Sequence, residues 1–239
     1  MGRHRLVKEK AMDDRPRGTF TGFSPQTVTF LSSLAGNNTK AWFETHRGDY
    51  EERLLEPMKA LVAELSDFML SIDQDFVTVP GRAISRIHRD TRFSRDKSPY
   101  KTTLWITFKR QITEWRDAPC YFFELTACSY RFGMGFYSAS KGTMDRLRET
   151  IERKPAQFRE TVAFLGGQKR FVLEGEVYRR PLRHDLPEDL QEWHRRKNLY
   201  LVCNRQPDNA LFSRKLVDDL RTGFGMLAPF YDYLLKARV

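Results

Sequence analysis

The chain has 239 residues and is 40% hydrophobic and 13% aromatic, a composition that excludes a disordered chain and suits a folded one with a sizeable core. Its formal net charge of +10 favours acidic partners such as nucleic acid, nucleotides or phosphorylated metabolites, although a basic surface also serves solubility alone. No stretch approaches the ~18 apolar residues of a membrane span, no apolar leader is apparent, and the three cysteines, Cys120, Cys128 and Cys203, form no C-x-x-C pair. A soluble, cytoplasmic protein with reduced thiols and no membrane partner is expected.

Residues 1–21 are polar and without period and read as a flexible tail; residues 22–239 read as one α+β domain. Ser24 and Pro25 signal a helix start, with Ser24 as cap and Pro25 at the first helical position, and Gly36 can close that helix. A short helix over 39–46 buries Trp42 and Phe43. A longer helical period covers 48–72, with Leu54, Leu61, Leu65 and Met69 on one face, and Pro57 should kink or restart it. The stripe faces the protein's own interior.

After Pro80-Gly81 the character changes. Strands are expected over 83–88, 104–109, 120–127 and 130–137, the last two as a hairpin. Gly133 and Gly135 alternate with Phe132, Met134 and Phe136, which bares one face of a strand for close approach by a backbone or a ligand; a packed helix is the plainer occupant. Ser140 caps a helix over 141–153, and Pro155 opens another that Gly166-Gly167 stops. Short strands at 171–173 and 199–203 flank a helix over 187–195. A helix marked by Phe212, Leu216 and Leu220 and a last one over 226–236 complete the chain. Helices, then clustered strands, then helices mixed with strands predict an α+β fold with a mainly antiparallel or mixed sheet and a helical N-terminal segment.

The chemistry concentrates in one connection. Between residues 82 and 101 seven Arg and Lys residues face two carboxylates, an excess of five, half of the net charge of the chain. On a strand ending at Asp90, alternation puts Arg86, His88 and Asp90 on one face and Ile87 and Arg89 on the other. Arg92, Lys97 and Lys101 follow on the loop. Arginine offers a planar donor fork for phosphate or carboxylate, lysine a mobile point charge; Ser94 and Tyr100 add hydrogen bonds. Asp90 can orient the arginines or, with His88, transfer protons in a phosphoester hydrolysis. The competing reading is an internal salt-bridge network, Asp90 to Arg92 or Arg95 and Asp96 to Lys97 or a helix end, in a protein-interaction domain.

His88-x-Asp90 alone is a weak metal signature. No metal-ligand set, nucleotide loop or dinucleotide fingerprint is apparent, so no metal or cofactor is expected. A second basic and aromatic region spans 178–184 and 193–198. It suits single-stranded nucleic acid, or, as the favoured reading, a helix with Trp193 in the core and its cations solvated.

The run Arg86-Ile87-His88-Arg89-Asp90-Thr91-Arg92-Phe93-Ser94-Arg95-Asp96-Lys97-Ser98-Pro99-Tyr100-Lys101-Thr102 closely resembles the hallmark of domain of unknown function 2461, an uncharacterised family of bacteria and fungi. Asn37-Asn38-Thr39-Lys40-Ala41-Trp42-Phe43 resembles its early segment, Gly133-Met134-Gly135-Phe136-Tyr137 with Leu147-Arg148 its glycine strand and next helix, and 181–197 its later proline and helix segment. Leu182-Arg183-His184 departs from the glycine expected after that proline. The resemblance spans about 23–236 and implies one α+β domain and no particular reaction. The function expected from the residues themselves is binding of an anionic small molecule, phosphorylated foremost, with nucleic acid as the rival partner.

Overall fold

The computed structural model describes residues 18–92, 94–112, 117–136, 138–180 and 182–237. The expected tail over 1–21 falls mostly outside them, but its end does not hang free. Phe20 is buried, its ring 5.4 Å from that of Phe23.

Helix α1 (Pro25–Gly36) starts where the sequence places it. The Ser24 side chain accepts from the Thr27 N–H while the Thr27 hydroxyl accepts from the Ser24 N–H, and Pro25 follows the cap, which together satisfy donors that a helix start leaves open. Thr39 caps α2 (Lys40–Thr45). Phe43 is buried there, but Trp42 is only half-buried and stacks on His46 at 3.9 Å, which corrects the expectation that both rings enter the core.

The long helix is continuous from α3 (Arg47–Tyr50) through a π turn (Glu51–Leu55) into α4 (Glu56–Ile72). Pro57 follows the π turn, in the first turn of α4. It has no N–H to return to the Arg53 carbonyl four residues earlier, and the Thr27 hydroxyl of α1 donates to that carbonyl instead, at 2.6 Å. Proline is therefore tolerated where a neighbouring helix supplies the missing donor, and regular α-helix restarts at Glu56 with Pro57 in its first turn, as the sequence predicts.

The expected strand at 83–88 is corrected. Pro80 opens a one-turn helix, α5 (Pro80–Ala83), and the chain then runs extended with isolated pairings, Ile84 to Ile106 and His88 to Tyr100. The sheet itself holds β1 (Leu104–Phe108), β2 (Cys120–Leu125), β3 (Tyr130–Gly135), β4 (Val172–Glu174) and β5 (Tyr200–Arg205), in the order β1-β2-β3-β5-β4. Every neighbour pair is antiparallel. The fold is α+β, and β2 and β3 form the expected hairpin; Tyr137, expected to end β3, lies outside the described residues.

The remaining helices are α6 (Lys141–Arg153), α7 (Pro155–Val162), α8 (Glu188–His194) and α9 (Lys215–Lys236). The two helices expected at the C-terminal end are one, continuous through Gly223 and Gly225 and with Pro229 inside it. Nine side chains of α9 are buried, from Leu216 to Leu234, and that packing outweighs the one backbone bond lost at Pro229. Among the described residues α9 packs on one face of the sheet, its Phe224 ring against Tyr121 and Phe132. Ile106, Phe108, Tyr121, Phe123, Phe132, Met134 and Leu201 point into that core and are essentially inaccessible. Among the described residues no helix is long and apolar enough to cross a membrane.

Candidate functional site

The hallmark run is an arm standing off the β1 edge. The Arg89 N–H donates to the Pro99 carbonyl at 2.9 Å and the Lys101 N–H to the Ile87 carbonyl at 2.8 Å, so 87–89 and 99–101 form a narrow ladder with residues 90–98 as its tip. Its root is fixed by α1 and α2. The Asn38 amide exchanges hydrogen bonds with the Tyr100 backbone, both at 3.0 Å, and the buried Tyr100 ring stacks on Phe43 at 4.0 Å.

The tip satisfies much of its charge internally. Arg92 grips Asp90 through Nε at 3.0 Å and Nη2 at 2.7 Å, and this fork, with the Arg92 N–H, pulls the Asp90 carboxyl down to about 2. Arg89 pairs with Asp96 at 3.0 Å, and Asp96 also accepts from the Ser98 N–H at 2.9 Å and the Ser98 hydroxyl at 2.5 Å. Lys97 donates to the Thr91 carbonyl at 2.8 Å. Arg86, His88, Asp90 and Arg92 are exposed, and Ser94 is half-buried. Phe93 lies outside the described residues.

The other face of the sheet, away from the helices, holds a trough of about 970 Å3. Alternation builds its floor: cross-strand rows set Trp105 against Glu124 and Arg131, Thr107 against Phe122 and Gly133, and Cys120 against Gly135 and Tyr200. Gly133 and Gly135 answer the question the sequence left open. A Cβ on either would come within 2.0 Å of the Leu201 carbonyl oxygen or 2.3 Å of that of Leu199. The close approach is that of the β5 backbone, not of a helix.

Ser85 and Lys101, from the arm, line one side of the trough; residues 173–176 with Arg196 and Asn198 line the other. Of the nine residues singled out on the hallmark run, the trough takes in Lys101 alone. Lys101 is half-buried, and burial, reinforced by the nearby Arg89, holds its pKa below the usual 10.5. Among the described residues no carboxylate lies within ion-pair distance of it. Burial lowers Lys109, a second lining cation, with Cys120 opposing. Arg131 pairs with Glu124, approaches Glu174 at 3.9 Å and lies 5.4 Å over the Trp105 ring. The Cys120 thiol is pushed up to about 12 by burial, so it stays protonated and is no nucleophile.

The far wall corrects the reading of the second basic region. Trp193 is in the core as expected, against Phe158 and Phe230, but Arg196 is not solvated. It is 9% exposed and donates to the Gly175 carbonyl at 2.9 Å, the Leu173 carbonyl at 3.3 Å and Glu192 at 3.2 Å. Gly175 has φ +129, a conformation a side chain resists. From α6 the buried Arg148 donates to the carbonyls of His194 at 2.8 Å and Arg196 at 2.5 Å. Pro181 of that region lies outside the described residues.

Sequence reasoning missed Trp105, Lys109, Arg131, Glu174 and Tyr200 as lining residues. A signal was present for β1, where Leu104, Ile106 and Phe108 alternate with Trp105, Thr107 and Lys109 in the period of a strand with one face outside the core.

The model of the family described as conserved hypothetical protein (DUF2461) matches residues 26–233, and the chain belongs to that family. Its description assigns no reaction. No curated protein matches the chain.

Proposed function

We propose that this family member binds a small anionic ligand, a phosphorylated one foremost, in the trough rather than at the tip of the hallmark arm. The observation that carries the reading is Lys101. A half-buried ammonium facing a cavity, with no carboxylate at ion-pair distance among the described residues, is a charge whose desolvation a bound anion would offset. Lys109 lines the same space. Arg89, which reaches Asp96 through Nη1, and Arg92, whose fork Asp90 engages, shape the arm that presents Lys101 and are not the first contacts of the ligand. The hydrolase alternative gains little, because His88 and Asp90 lie outside the trough lining and Asp90 is held ionised by Arg92.

The test is a calorimetric titration with inorganic pyrophosphate. Wild type is expected to bind it and Lys101→Ala to bind it roughly tenfold less tightly, while Arg86→Ala retains wild-type affinity. Equal affinity in wild type and Lys101→Ala, or loss in Arg86→Ala alone, contradicts the reading.

A further inference from the structure

The floor of the trough carries a feature that anion binding alone does not need. Trp105, Phe122 and Tyr200, from β1, β2 and β5, form an aromatic row, with ring centroids 5.8 Å apart between the first two and 6.0 Å between the last two. They share the face away from the helices, and all three line the cavity. Between Phe122 and Tyr200 runs β3, whose facing positions are Gly133 and Gly135. With no side chains there, the rings stand as the relief of the floor. Trp105 and Tyr200 are half-buried, whereas Phe122 is 8% exposed, so the two outer rings offer the surface.

The lining offers three kinds of surface. Lys101 and Lys109 come from the arm and the end of β1, Trp105, Phe122 and Tyr200 from the strands with Arg131 among them, and Glu174 and Glu176, with Arg196, from the side of β4. Glu174 already accepts from the Asn204 amide at 2.7 Å and lies 3.9 Å from Arg131, and Glu176 lies 3.5 Å from Lys197; each keeps further acceptor capacity, since a carboxylate has about four lone-pair sites. A volume of about 970 Å3 falls at the upper end of the ~300–1,000 Å3 of small-molecule sites. A ligand that uses all three surfaces carries a flat ring, hydroxyl or amino donors, and an anionic group.

We propose that the ligand class is a nucleoside phosphate. The base stacks on Trp105 or Tyr200, as aromatic side chains hold bases without regard to sequence. Ribose hydroxyls or a base amino group donate to Glu174 or Glu176, as an acidic residue holds a ribose in other nucleotide sites. The phosphate lies against Lys101 and Lys109. A sugar phosphate would leave the rings unused, and inorganic phosphate would leave both the rings and the carboxylates unused. The inference rests on the anion-binding reading of the same trough.

The test is titration of the full chain with adenosine monophosphate, ribose 5-phosphate, inorganic pyrophosphate and a short single-stranded oligonucleotide, read by calorimetry and tryptophan fluorescence. Adenosine monophosphate is expected to bind roughly tenfold or more tightly than ribose 5-phosphate and to change the fluorescence, a change that Trp105→Phe removes while it keeps most of the affinity. Tyr200→Leu is expected to narrow the gap between the two ligands and to leave ribose 5-phosphate within about twofold. Equal binding of the two by wild type overturns the nucleoside part and leaves the anion site standing. No binding of any phosphate probe overturns both. An oligonucleotide bound while adenosine monophosphate is not overturns the inference in favour of a nucleic-acid surface.

Discussion

The tip of the hallmark arm and the trough beside it use charge in opposite ways. At the tip the ionic groups are close in sequence and pair with one another, Asp90 with Arg92 and Asp96 with Arg89. In the trough the charged residues are far apart in sequence, from Lys101 to Arg196, and they converge because the strands and the segments flanking them meet at one face of the sheet. The difference teaches that charge density along a chain marks a region, whereas the site is marked by one half-buried charge, Lys101, that has no carboxylate at ion-pair distance among the described residues. The arm is then the scaffold, and one of its root residues, Lys101, is the contribution it makes to the cavity.

The largest effect is expected on the floor. In Gly133→Val the new side chain starts from a Cβ 2.0 Å from the Leu201 carbonyl oxygen, so β3 and β5 must separate. A loss of about 3 kcal/mol in chemical denaturation is expected, and a variant as stable as wild type would break the picture of a floor shaped by glycine. Next comes the far wall. Arg148→Met leaves the His194 and Arg196 carbonyls without their donors, at a cost of about 2–3 kcal/mol, and weakens pyrophosphate binding because Arg196 lines the trough.

Lys101→Ala is expected to act on the ligand more than on the fold. Its pH dependence sharpens the point. Burial and Arg89 hold the folded pKa below 10.5, so between that lowered value and 10.5 the unfolded chain binds more protons, and stability without ligand rises with pH across the window. Anion affinity runs the other way, because the charged ammonium is the binding form. It should fall as pH rises through the lowered value, ahead of an ordinary lysine, and a flat affinity profile would remove Lys101 from the site. The smallest effect is expected at the tip. Asp90 and Arg92 are exposed, and exposed pairs contribute little, so Asp90→Asn should leave the melting temperature and pyrophosphate affinity unchanged. A marked drop in either would make the tip more than a scaffold.

Much of the fold was legible because its signals are local. The Ser24-Pro25 cap, the β2–β3 hairpin and the alternation of β1 each arise within a few residues. The misreadings came where a distant group supplies what the local chain lacks. The gap expected at 221–225 is closed where Gly223 packs against Phe132 and Phe171, and Arg196 is drawn in by the Gly175 and Leu173 carbonyls. The candidate site was legible only in part. Lys101 belongs to the charged run, but Arg131 and Tyr200 look like ordinary strand residues until register sets them beside Trp105 and Gly135, and the favoured solvated role of the second basic region hid the buried Arg196.

The central claim is that the anion enters the trough and not the tip, and amide chemical-shift mapping during a pyrophosphate titration tests it most directly. The account predicts shifts at Lys101, Trp105, Arg131 and Gly135 with little change over 90–98. Shifts concentrated in 90–98, with the trough residues unmoved, would contradict it.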